Sequence, residues 1–366
     1  MAEMLAARAH PNQDQLVLEH VPVPQPGPEE VLVKVASAGL APGMMALLAR
    51  GAFRHLPTTL GHEAAGTIAA VGSAVTGTAV GDRVRVHPNL NCRDCVHCRT
   101  DREQMCSQQA MVGHAAFGAG PLPLYEKYHD GGLAEYLLVP HWLIDPLPDN
   151  VNFDVAAKVH DLANAVRALK CADLPLGGTL IVTAATGTMG TAAIKLASHF
   201  GVSRLILVGR SRERLEAVGR LAGTLPVDLV ALEDLGQDWA TSQGLTGALR
   251  ALVPGGADAV LDFIPEGPAS WQAMAALATG GSLVHMGANP SPLPFPAMVI
   301  MVNCWRLVGT RACTRSDARQ VLELLARGAL NADELITHRF PLAKANDAVA
   351  AMQQRSEPMW MAVVNP

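Results

Sequence analysis

The apolar pattern between positions 178 and 214 organises the chain, and it reads GTLIVTAATGTMGTAAIKLASHFGVSRLILVGRSRER. A short β-rich apolar run at 180–182 gives way to a turn containing Gly187. Small and apolar residues then follow at helical spacing over 188–200, and a second apolar run at 205–208 ends in Gly209-Arg210-Ser211. Strand, tight turn, helix and strand in this order predict a βαβ unit. Ahead of it, 16–21 and 31–38 are strand-like. They are separated by PVPQPGPEE, whose prolines at 22, 24, 26 and 28 keep it out of regular structure. A short helix is predicted within 39–51, after a turn at Pro42-Gly43, and a strand over 82–86. Behind the βαβ unit, 215–252 alternates helical and loop character, and strands are expected at 258–263 and 283–287. The run SPLPFPAMVIMVNCWRLV at 291–308 is apolar but broken by proline. Helical spacing returns at 317–326, and 335–352 suits a strand and a helix.

The βαβ turn carries chemistry. Its residues Thr186, Gly187, Thr188, Met189 and Gly190 follow an A-x-G-x-x-G pattern with Ala185 in the first glycine position. Gly187 lets the backbone approach a pyrophosphate, Gly190 lets helix and strand pack closely, and the helix N-terminus offers unpaired N–H groups to phosphate. At the end of the second strand, about 20 residues past the turn, NAD sites place an acid that accepts hydrogen bonds from the ribose. Gly209 stands there instead, followed by Arg210, Ser211, Arg212 and Arg214. Charge logic at that ribose favours a 2′-phosphate, and so NADP(H) over NAD(H). Phe263, at the carboxyl edge of the next predicted strand, and Gly287, after the one following, lie where a ligand crosses an open α/β sheet.

Composition narrows the class. A length of 366 residues points to about two domains of roughly 150 each, and a hydrophobic content of 49% suffices for a sizeable core. The net charge of −5, with no basic blocks, gives no reason to expect nucleic acid or an anionic membrane surface. No apolar run is long enough to span a bilayer, and the N-terminal stretch lacks a secretory h-region, so a cytoplasmic address is expected. Four of the seven cysteines follow the pattern Cys92-x2-Cys95-x2-Cys98-x7-Cys106. Short C-x-x-C steps place thiolates around one tetrahedral centre. Four sulfurs leave no open position, so the cluster predicts a structural zinc.

Further motifs carry a family resemblance: VLVKVASAGL at 31–40, LGHEAAGTIAAVG at 60–72, GDRVRV at 81–86, DGGLAEYLLVP at 130–140, GADAVLDFIPEG at 256–267, GGSLVHMGA at 280–288 and LITHRFPLAKANDAVAAM at 335–352. Taken in order with the cysteine cluster and the βαβ unit, they make nearly the whole chain resemble the medium-chain dehydrogenase/reductase family. That family comprises the zinc alcohol dehydrogenases and the quinone reductases. The resemblance implies an α/β fold with two parts. One is a GroES-like, β-rich catalytic domain over 1–150 with its structural-zinc lobe at 88–108. The other is a Rossmann domain, a doubly wound parallel sheet, over 151–298, and the chain then returns to the catalytic domain over 299–366. It also implies that the 291–308 region makes a dimer contact.

The resemblance implies a catalytic zinc held by a Cys, the His of G-H-E and a later Cys or Glu, with a hydroxyl relay two residues past the first Cys. Here His62 and Glu63 are present, Ala41 replaces the Cys, Gly43 replaces the hydroxyl, and the third position falls at His160, followed by Asp161. Two readings stay open. Zinc is rebuilt on His62, His160 and either Glu63 or Asp161, or the site is metal-free and His160 with Asp161 donate protons or anchor substrate. The expected activity is NADP(H)-dependent hydride transfer to or from a small, mostly apolar alcohol or carbonyl compound. The alternatives are metal-free reduction of conjugated C=C bonds or quinones, and an NADPH-binding protein with little turnover. Outside this set, His114, His129 and His141 are read as surface or substrate-loop residues, and Tyr125 and Tyr128 as candidate proton donors or surface residues.

Overall fold

The structure is a computed structural model that describes residues 2–118 and 120–366. The chain divides into two compact units, one formed by 1–160 with 314–366 and the other by 161–313.

The first unit is built on a seven-stranded sheet. Its order runs Ile144–Pro146, Arg83–Val86, Glu63–Val71, Glu30–Leu40, Met361–Asn365, Ile336–Pro341, with Tyr136–Pro140 also pairing to Glu30–Leu40. Neighbours are antiparallel except the two C-terminal strands. Glu30–Leu40 is buried on both faces, as its nearly unbroken VLVKVASAGL run requires for a strand paired on both edges. Val31, Val33, Ala38, Leu60, Val84 and Leu133 lie in its hydrophobic core. Register fixes the site: Gly39 is paired with Glu63, and Ala38 with Ala64, so the G-H-E segment enters the sheet beside the end of the longest strand. The C-terminal strand completes the sheet through Val363 opposite Gly39, which ties residues 314–366 to this unit.

The second unit is a six-stranded, wholly parallel sheet. Its order is Val227–Ala231, Val202–Gly209, Gly178–Val182, Ala257–Asp262, Leu277–His285, Arg306–Gly309. Counted within the unit, the strands run third, second, first, fourth, fifth, sixth, which is the doubly wound dinucleotide-binding order. The strand order reverses between Gly178–Val182 and Ala257–Asp262, and that point is the crevice in which such sheets bind ligand. Strands buried on both faces need continuous apolar runs, and LIV, LILV and AVL supply them. The helix Thr188–Leu196 follows the first strand, and Ala297–Val302 leads into the last, an edge strand. Met298, Met301 and Val302 on that helix are exposed.

Candidate functional site

The four cysteines converge. The Sγ atoms of Cys92, Cys95, Cys98 and Cys106 all lie within 4.8 Å of one another. Cys95–Cys98 and Cys92–Cys106 are each separated by 3.6 Å and Cys92–Cys98 by 3.9 Å. Backbone N–H groups of Cys95 and Gln108 point at the sulfurs of Cys92 and Cys106, each at 3.3 Å, the outer-shell pattern that supports metal-bound thiolates. Burial raises the Cys92 thiol, but N–H donors from Asp94 and Cys95 outweigh it and bring it down to about 7. Burial and the adjacent Cys95 and Cys106 push Cys98 well up. That crowding of sulfur is what a divalent cation relieves, so the donor set fits one tetrahedral zinc. The lobe is tethered at the start of the helix Arg315–Ala326. Glu103 accepts from the Arg315 backbone N–H, and Asp101 accepts from the Ser316 hydroxyl, both at 2.5 Å.

Three histidines meet in the first unit. His62 is central, with His114 edge-on at a centroid distance of 4.6 Å and His160 edge-on at 5.1 Å. All three are buried. Glycines bring them together. Gly61 has φ +100, and a Cβ on it would lie 2.9 Å from the Leu133 backbone nitrogen, while one on Gly113 would lie 2.5 Å from Cα of Gly131. The loops carrying His62, His114 and 131–133 can therefore touch backbone to backbone, joined by the Gly61 N–H to Gly113 C=O bond of 3.0 Å. Phe117 stacks on His114, and the Tyr125 hydroxyl donates to the His114 carbonyl at 2.6 Å. Burial, with the charge of His62, pulls the His114 pKa down to about 3. Burial, followed by His62, His87, Arg85 and Lys158, holds His160 well below the usual imidazole range. Both rings are therefore neutral near pH 7, and the Nδ1 of His114 is buried with no hydrogen-bond partner. Burial of His114, Tyr125 and Tyr128, the last donating to Glu30, removes the surface alternative for all three and leaves the substrate-loop and proton-donor alternatives.

Glu63 lies between this cluster and Lys158, whose Nζ lies 2.5 Å from Oε2. The other carboxylate oxygen is 3.7 Å from Nε2 of His62. Gly39 makes room for the pair, because a Cβ there would fall 2.0 Å from Oε2 of Glu63 and 2.9 Å from Cδ of Lys158. Ala41 precedes the helix Pro42–Ala49 and supplies no donor, nor does Gly43 inside it. Among the described residues, the four cysteines are the one group of three or more His, Cys, Asp or Glu whose ligand atoms converge within 4.8 Å. Asp161 is buried and is the first residue of the other unit. Lys158 carried no signal in the sequence pattern. Its partner is 95 residues away.

In the second unit, Gly187 caps the helix Thr188–Leu196 in an extended conformation. A Cβ on Gly190 would lie 2.6 Å from the Ala184 carbonyl, so only glycine packs there. Thr186 and Met189 are half-buried, and Thr188 is buried. Ala184 adopts φ +46, so the turn takes its left-handed residue from alanine. At the second strand's end Gly209 is buried, Arg210 exposed, and Ser211 and Arg214 half-buried. The sheet also brings the next strand's exit alongside. Glu233 accepts from the Arg212 backbone N–H at 2.6 Å, and Asp234 holds the Arg212 guanidinium at 2.5 Å. Phe263 is buried, its N–H donating to Thr183 Oγ1 at 3.2 Å. Gly287 passes so close to Ile264 that a Cβ would lie 2.3 Å from its carbonyl. The sequence reading also missed a latch between these two loops. The fully buried Asp262 meets His285 Nδ1 at 2.7 Å, and Asn289 N–H donates to His285 Nε2 at 3.2 Å.

Two family models match the chain. Residues 27–149 match the alcohol dehydrogenase GroES-like domain, and 188–327 match the zinc-binding dehydrogenase domain. D-xylulose reductase A of Aspergillus oryzae is 30% identical over 330 residues, covering 87% of this chain and 85% of its own. A Sinorhizobium meliloti protein described as a zinc-binding dehydrogenase and solved with NADP bound superposes at TM-score 0.84, with 25% identity over all of both chains. The cobalt- and zinc-bound thermostable alcohol dehydrogenase of Pyrobaculum aerophilum does so at 0.82, also with 25% identity over all of both chains.

Proposed function

The chain belongs to the medium-chain dehydrogenase/reductase family, and from that premise we propose that it is an NADP(H)-dependent oxidoreductase of a small, mostly apolar carbonyl compound or alcohol. The observation that carries this is the trio of buried imidazoles at His62, His114 and His160, of which His114 and His160 are held neutral. NADPH, when bound, supplies the hydride. Reduction of C=O moves negative charge onto oxygen, and imidazole N–H groups in a water-poor pocket stabilise that charge. One of the cluster's imidazoles then gives its proton to the alkoxide and is reprotonated from solvent. Phe53 and Phe117 beside His114 suit an apolar substrate body.

In the second unit, Thr186, Gly187, Thr188, Met189 and Gly190 suit the pyrophosphate, while Phe263 and Gly287 suit the passage of the dinucleotide. Arg210, Ser211 and Arg214, with no acid at Gly209, favour a 2′-phosphate. Cys92, Cys95, Cys98 and Cys106 would hold a structural zinc, which suits a reducing, cytoplasmic setting. Among the described residues no helix is long and apolar enough to cross a membrane.

The residues do not favour a second zinc on His62 and His160. One oxygen of Glu63 is held by the Lys158 ammonium, and Ala41 offers no ligand. This observation also supports a second reading, reduction of a conjugated C=C bond or quinone. Hydrogen bonds polarise a carbonyl less than a metal does, and a conjugated acceptor spreads the incoming charge over more atoms. The exposed apolar helix Ala297–Val302 and the edge strand Arg306–Gly309 suit contact with a second copy of the chain. The deciding experiment follows NADPH consumption, with product analysis, over a panel of aldehydes, ketones, enones and quinones. Reduced alcohols support the lead reading and saturated ketones the second. NADPH binding without turnover on any member would overturn both.

A further inference from the structure

The Lys158–Glu63 pair lies where the family resemblance expects metal chemistry, and it sets a fixed cation against the carboxylate nearest His62. Lys158 and Glu63 are both fully shielded from solvent. Arg85 is buried as completely, and after burial its charge and that of Lys158 help to hold His160 neutral. A divalent cation at His62 and His160 would have to displace an ammonium from the nearest carboxylate, against that field. The expected first ligand position is Ala41. The pair is built in rather than incidental, because Gly39 opposite Glu63 leaves the space both side chains fill.

We propose that the buried ammonium of Lys158 is this chain's replacement for a catalytic metal: a fixed cation that holds Glu63 beside His62 and keeps divalent ions out of the histidine cluster. The inference rests on the metal-free form of the proposed function, though not on its substrate. Lys158 acts through Glu63, so it is a positioning residue. Carrying its charge on a side chain, the site keeps its polarity when metal is scarce.

The test is zinc stoichiometry. Wild-type protein with its cysteine-bound zinc is equilibrated with excess zinc chloride, separated from free metal and analysed for zinc per chain, with a parallel calorimetric titration. Wild type and Ala41→Cys are expected to hold one zinc. Ala41→Cys/Lys158→Met is expected to hold two, the second bound at least ~100-fold more tightly than any second site in Ala41→Cys, because removing a unit positive charge a few ångströms from a dication is a large effect at any interior dielectric. A second zinc in wild type, a double variant that stays at one, or equal second-site affinity with and without Lys158 overturns the proposal. If the double variant fails to fold, the other two proteins decide, since a second zinc in either overturns it and one zinc in both upholds it. A wild-type second zinc removes the metal-free premise while leaving hydride transfer to be judged by the NADPH assay, and a silent NADPH panel leaves the zinc counts standing.

Discussion

Nζ of Lys158 lies 2.5 Å from Oε2 of Glu63, in a place neither side chain shares with solvent. Breaking such a pair on one side leaves an uncompensated buried charge, whereas replacing both sides removes the problem. Lys158→Met or Glu63→Gln alone should therefore destabilise the fold by about 3–5 kcal/mol. The double variant should recover most of that. Denaturant unfolding of the four proteins as a double-mutant cycle reads the coupling, and additive losses would show that the pair is not coupled.

The histidine cluster should make the protein acid-sensitive. His114 has a folded pKa of about 3 against an ordinary 6.5. Between those values the unfolded chain binds the extra proton, so stability is full above the unfolded value and falls as pH drops toward 3, by up to about 1.4 kcal/mol per pH unit. His160 is displaced in the same direction. His114→Phe should flatten the acid limb of a stability–pH curve measured by thermal melting. An unchanged limb would mean that other groups dominate it.

The same substitution should also slow turnover. If His114 helps to stabilise the developing oxyanion, His114→Phe and His160→Phe should each lower kcat by about 10²-fold or more, with smaller changes in the Kd for NADPH. Equal losses in cofactor binding would point instead to a collapsed fold.

Cofactor choice has a local test. Arg210→Ala should weaken NADPH by roughly tenfold, the scale of one charge-assisted hydrogen bond to phosphate, and leave NADH nearly unchanged. The nearby acids sharpen the test, because Glu233 and Asp234 already engage Arg212. Parallel losses for the two cofactors, measured by fluorescence titration, would remove the 2′-phosphate assignment.

Chelation or Cys98→Ser should release one zinc per chain and lower the melting temperature. The lobe is joined to the helix Arg315–Ala326 through Glu103 and Asp101, so its loss loosens that helix start. Release should become easier as pH falls, because protons compete with the metal for thiolates. A melting temperature indifferent to zinc would argue against a structural ion.

Features that depend on local pattern were legible from residue order alone. Apolar runs and glycine punctuation located the βαβ unit, because strand and helix periods are written over a few residues. The cysteine spacing located the convergent four-sulfur lobe, because its members are near neighbours along the chain. What His62 meets came from packing between distant segments. His114 looked like a loop histidine until glycines 61, 113 and 131 allowed the loops to touch, and nothing in the pattern marked Lys158 as the partner of Glu63. Likewise, Glu233 and Asp234 reach Arg212 because parallel pairing sets the second and third strands of the sheet side by side. These are contacts between residues far apart in the chain. No periodicity encodes them, because burial and charge pairing are properties of the packed whole.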